Sequence, residues 1–98
     1  MDTNNDVIVL KTENRENEEC KYFYRLSIIE QQNLTSANLY EIYITLSSNN
    51  SEIVQTSHSE IVHFSTDETA NDFFEMLVKN LVTPLDLPYV IADEIYHK

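Results

Sequence analysis

Ninety-eight residues with 42% hydrophobic content, six Tyr, four Phe and a formal charge of −11 describe one small acidic domain with enough apolar mass for a single core. The chain contains no Gly, which excludes the standard dinucleotide fingerprint, the P-loop and the EF-hand loop. Seventeen acids against six bases repel nucleic acid and anionic membrane, and favour a protein partner with a basic surface.

The acidic bias is spread along the chain. Acids outnumber bases 6 to 2 in residues 1–20, 4 to 2 in 21–66 and 7 to 2 in 67–98. Cys20 is the single cysteine, so no internal disulfide can form, and a reducing, cytoplasmic setting is expected. The first apolar run, Val7–Leu10, is too short for a signal segment or a membrane span. Tight turns must draw on the ten Asn instead of Gly.

Residues 1–19 read as an acidic, flexible arm, within which Val7–Leu10 would supply at most a short extra strand. Cys20–Gln31 is the first firm strand. Tyr22, Tyr24, Leu26 and Ile28 share one face, and Phe23, Arg25, Ser27 and Ile29 the other. Gln32–Asn38 reads as a turn. Leu39–Ser48 alternates clearly, with Tyr40, Ile42, Ile44 and Leu46 inward, and Asn49-Asn50-Ser51 forms a tight hairpin connection. Glu52–Phe64 is a third strand with a bulge or bend expected at Gln55-Thr56-Ser57.

The stretch Phe64–Leu81 carries the clearest helical signal. Ala70, Phe73, Phe74, Leu77, Val78 and Leu81 recur at the spacing of one helical face. Ser65 and Glu68 have the spacing of a capping box, and Asp67 and Glu68 suit the positive end of the helix dipole. Pro84 ends this helix, which spans roughly residues 66–82. A second helix starts near Asp86, tolerates Pro88 in its first turn, and presents Leu87, Val90, Ile91 and Ile95 as its apolar stripe. The expected fold is α+β: a three-stranded antiparallel meander followed by two helices on one face (β-β-β-α-α), with residues 20–98 as one domain.

No catalytic or metal constellation emerges. His58 and His63 lie on opposite sides of a regular strand, while His58 and Glu60 share a side but lack a third ligand. Asp93 and His97 form another incomplete pair. Cys20 follows Glu18 and Glu19, which oppose thiolate formation. The expectation is a non-enzymatic protein with no metal and no cofactor.

Tyr24-Arg25-Leu26, the stretch from Ile61 to Asp67, and Val90 to Glu94 together resemble a family of small uncharacterised proteins from clostridia and related Firmicutes. That family pairs a Tyr-Arg-Leu strand with a Ser-x-Asp helix start preceded by Ile, and an acidic terminal helix. The resemblance covers residues 20–96, and this chain departs from the family pattern in its missing glycines and its N-terminal arm. It implies the α+β fold and a bacterial, intracellular setting, and implies no activity. In layout and charge the chain is also similar to small acidic phage inhibitors such as anti-CRISPR proteins, an analogy of architecture.

Two functions from different classes follow. In the first, Asp67, Glu68, Asp72, Glu75, Asp93 and Glu94 engage a basic patch on a protein partner, with carboxylates standing where phosphates would. An acidic surface also serves solubility alone, which is the plain alternative. In the second, the chain is a structural module that forms a homodimer through the open sheet face or an edge strand, with Tyr22, Phe23, Tyr24 and Tyr43 as the contact residues of the face.

Overall fold

The computed structural model describes residues 6–30, 38–49 and 54–96. Four strands of eleven residues each come first: β1 (Asp6–Glu16), β2 (Cys20–Glu30), β3 (Asn38–Ser48) and β4 (Val54–Phe64). Helix α1 (Asp67–Lys79) and helix α2 (Leu87–Ile91) follow, and α2 runs on into a π-helical segment, Ala92–Tyr96. The strands form one antiparallel sheet in the order β1-β2-β3-β4. The meander therefore has four strands, not three. The stretch expected to be an arm contains a full-length edge strand paired along β2, from Asp6 opposite Glu30 to Glu16 opposite Lys21. Its polar half, Lys11–Glu16, has poor strand character by itself. It is held by the backbone ladder to β2, whose own strand propensity is high. The expected turn at 32–38 and the hairpin at 49–51 fall largely outside the described residues.

Both outer strand pairings contain a bulge. Between β1 and β2 the pairing steps from Val9–Ser27 to Lys11–Leu26, which leaves Leu10 as an extra residue. Between β3 and β4 it steps from Leu46–Thr56 to Ser47–Val54, which leaves Gln55 extra, within the stretch where a bulge was expected. The Leu10 bulge reverses the alternation of β1. Val7 and Val9 share a face with Ile29 and Ser27, and beyond the bulge Thr12, Asn14 and Glu16 take over that face opposite Arg25, Phe23 and Lys21.

The core lies between one sheet face and the helices. Tyr22, Tyr24 and Leu26 of β2, Tyr40, Ile42 and Ile44 of β3, and Val62 and Phe64 of β4 meet Ala70, Phe74, Leu77, Val78, Val82, Leu87 and Ile91. Two of the core aromatic pairs pack edge-on, as their quadrupoles favour. The Tyr24 and Phe74 rings lie 6.4 Å apart at 87°, and the Tyr40 and Phe64 rings 5.6 Å apart at 69°. Two phenol groups keep their polar ends satisfied inside this layer. Tyr24 Oη donates to the Val82 carbonyl at 3.0 Å, which ties β2 to the segment after α1. Tyr40 Oη donates to Asp67 Oδ1 and ties β3 to the first turn of α1.

The helix ends show how the chain manages without glycine. The N-cap of α1 is Thr66, not Ser65: Thr66 Oγ1 accepts from the Thr69 amide at 3.1 Å, one residue later than the Ser65–Glu68 spacing implied. At the other end, Asn80 is the C-cap and Leu81 adopts φ 52°. The Val82 amide bonds the Leu77 carbonyl at 3.1 Å and the Leu81 amide bonds the Val78 carbonyl at 3.2 Å. These are the two bonds of a Schellman termination, with leucine in the position that glycine usually occupies. Asp86 does precede α2, but its side chain makes no capping bond. The Asp86 amide instead donates to Thr83 Oγ1 at 3.3 Å.

Candidate functional site

The two helices cover one face of the sheet, and the two sides of the molecule differ in chemistry. On the helical side, residues 67–96 carry seven carboxylates (Asp67, Glu68, Asp72, Glu75, Asp86, Asp93 and Glu94) and one base, Lys79. On the uncovered sheet face the strand registers place two bases, Lys21 and Arg25, and two acids, Glu16 and Glu41. These four formal charges cancel. The excess negative charge of the described residues therefore lies off this face.

The six acids expected to bind a partner do not form one cluster of free carboxylates. Helical spacing brings Glu68, Asp72 and Glu75 to one side of α1, opposite the buried Ala70, Phe74, Leu77 and Val78. Asp67 is engaged by Tyr40, and Glu75 by Lys11 of β1. Glu68 and Asp72 are exposed, as are Asp93 and Glu94 on the π-helical segment. Around Glu75 the sequence offered no warning of a cation, because Lys11 lies 64 residues away. Beside it, Lys11, Glu13 and Arg15 line the same side of β1. Arg15 meets Glu13 at 3.0 Å, and Lys11 meets it at 3.9 Å. A shallow groove of about 690 Å³ runs between this row and α1, bordered by Arg15, Asp72, Glu75 and Lys79. Its lining mixes both signs of charge.

Of the residues expected to mediate self-association, Tyr22 and Tyr24 are part of the core beneath the helices. Strand alternation assigns the even-numbered residues of β2 to the covered face. Phe23 and Tyr43 lie on the uncovered face, their rings 6.4 Å apart at 70°. Arg25 lies over the Tyr43 ring at 4.5 Å and reaches Glu41 Oε1 at 3.4 Å. The register adds apolar neighbours that sequence reasoning did not single out: Val7 and Val9 from β1, Ile29 from β2, Leu39 from β3 and Ile61 from β4. Ile61, Val7 and Val9 are 56%, 54% and 53% exposed. At the centre of this face Ser27 has no exposure at all, and its Oγ has no hydrogen-bond partner among the described residues. Arg25 Nε is likewise buried and unpaired among them.

The histidines stay apart. His58 Nε2 and Glu60 Oε2 are 2.5 Å apart on the covered face, near its edge, and His63 is exposed on the other face. His97 lies outside the described residues. No three His, Cys, Asp or Glu among the described residues come together as metal ligands. The clear pKa perturbations belong to core tyrosines. Burial pushes the Tyr24 phenol well above the ordinary tyrosine range, with Tyr22 adding to the rise and Arg15 opposing it. Burial also raises Tyr40, and its hydrogen bond to Asp67 adds to the rise.

This is an α+β protein with an antiparallel sheet covered on one face, acidic on its helical side, and with balanced charge and a mix of apolar and polar residues on the other. No helix among the described residues is long and apolar enough to cross a membrane. The chain belongs to DUF6514, a family of unknown function whose model matches residues 4–97. Neither a curated protein nor a solved structure matches the chain.

Proposed function

We propose that this protein is a non-enzymatic binding module whose helical side engages a lysine- and arginine-rich surface of a protein partner. The observation that supports this most directly is the segregation of charge: seven carboxylates and a single base in residues 67–96, against balanced charge on the uncovered sheet face. A partner whose basic patch normally holds nucleic-acid phosphates fits best, because carboxylates present the same charge and acceptor chemistry. The protein, encoded by a Firmicute or by its phage, would then inhibit a nucleic-acid-handling protein in the bacterial cytoplasm, in the manner of an anti-CRISPR protein. Glu68, Asp72, Asp93 and Glu94 make the direct contacts in this reading. Asp67 and Glu75, already held by Tyr40 and Lys11, contribute field more than contact.

The test is affinity capture from a firmicute lysate with the wild type and with a quadruple variant, Glu68→Gln, Asp72→Asn, Asp93→Asn and Glu94→Gln. The wild type should retain a basic partner at low salt and release it as salt rises, and the variant should retain none. Capture indifferent both to salt and to the four substitutions would rule out the electrostatic mechanism.

A further inference from the structure

We infer that the uncovered sheet face is the contact surface for a second copy of this chain, giving a two-fold dimer with the sheets face to face and the acidic helices outermost. Three features of the face point to this occupant. The first is its size. Four strands about 4.8 Å apart and eleven residues long at about 3.3 Å per residue span about 19 by 36 Å. That is about 700 Å², close to the roughly 800 Å² per partner of a standard stable interface. The second is its composition: Phe23, Tyr43, Val9, Ile29, Leu39 and Ile61 make an apolar patch, and polar residues such as Thr12, Thr45 and Ser59 occupy the rest of the face. Aromatic and aliphatic side chains in this arrangement anchor interface cores.

The third feature is charge. A copy carrying −11 repels another copy, and the repulsion is least when the acidic sides point away from each other. Contact through the uncovered sheet face, with two bases and two acids among the described residues, allows that orientation. Lys21 and Arg25 of each copy can then meet Glu16 and Glu41 of the other. A basic partner gains nothing at a face whose charges already cancel. Sheets packed in this way sit about 10 Å apart with strand directions within about 30°.

The experiment is sedimentation equilibrium and light scattering of the full chain over a range of concentrations and salt. The wild type should show twice the 11.5 kDa chain mass. Added salt should tighten the dimer by screening the like charge, the opposite of its effect on a basic partner. Ile61→Glu changes a side chain that is 56% exposed, so the fold should survive, as circular dichroism would verify. Because the substitution occurs twice in a two-fold interface, it should raise the dimer Kd by at least about 100-fold. Tyr89→Ser, a neutral change at a side chain 76% exposed on α2, should leave the Kd unchanged. A wild type that stays monomeric at several hundred micromolar overturns the inference. So does a dimer that withstands Ile61→Glu but dissociates on Ile8→Lys, because that pattern means pairing along the exposed edge of β1.

Discussion

The hydroxyl of Tyr24 offers the sharpest test of how the core is held. Its ring has no exposure, and its O–H bonds the Val82 carbonyl at 3.0 Å. Tyr24→Phe keeps the ring and its contact with Phe74, and leaves that carbonyl without its partner. The expected loss near neutral pH is about 1–2 kcal/mol. Alkali should then narrow the gap between the two proteins. In the unfolded chain the Tyr24 phenol ionises near its ordinary value of 10.0, whereas in the folded chain burial keeps it protonated to higher pH. Above pH 10 the unfolded state therefore binds fewer protons than the folded state, and stability falls as pH rises. At about one pH unit above that value the wild type should have lost about 1 kcal/mol that the phenylalanine variant cannot lose. Urea unfolding curves for both proteins at about pH 8 and about pH 11 measure the gap. All other groups are common to the two chains and largely cancel in the difference. A gap that stays constant across this pH range would refute the reasoning, as would a variant as stable as the wild type near neutrality.

Other expectations concern single contacts. Leu81→Gly should be no less stable than the wild type, because relief of a left-handed leucine offsets the lost packing, whereas Leu81→Val should lose about 1 kcal/mol; thermal melts that rank valine above glycine would contradict this. Phe74→Ala should cost about 3–5 kcal/mol, enough to unfold much of the protein, and calorimetry would show the transition depressed or gone. Tyr40→Phe removes the hydrogen bond to Asp67 and should cost about 1 kcal/mol, measured by urea unfolding. Glu75→Gln breaks a pair with Lys11 whose side chains are 42% and 33% exposed, so it should change stability by less than about 0.5 kcal/mol and by nothing measurable at high salt.

Much of the architecture was legible in local pattern. The alternation of Tyr40, Ile42, Ile44 and Leu46 marked the covered face of β3, and the spacing of Ala70, Phe74, Leu77 and Val78 marked the buried stripe of α1. Both are signals of period two or 3.6 that a short window contains in full. The edge strand was harder to see. Lys11–Glu16 has no apolar alternation, and it becomes a strand because β2 offers it a ladder of backbone partners. The bulge at Leu10 was equally hidden, yet it decides which residues of β1 join the uncovered face. The site followed the same division. Exposure of Glu68, Asp72, Asp93 and Glu94 follows from helical pattern and hydrophilicity. The engagement of Asp67 and Glu75 by Tyr40 and Lys11 depends on contacts 27 and 64 residues apart.

By itself, then, the sequence determined the acidic balance, the glycine-free turns, the strand–helix order from β2 onward and the apolar faces, because each is a property of composition or of neighbours within a few residues. The tertiary structure alone decided that β1 completes the sheet, that Tyr22 and Tyr24 belong to the core while Phe23 and Tyr43 do not, and that negative charge gathers away from the uncovered face. Those outcomes depend on register and on which face the helices cover, and both are set by contacts between residues far apart in the chain.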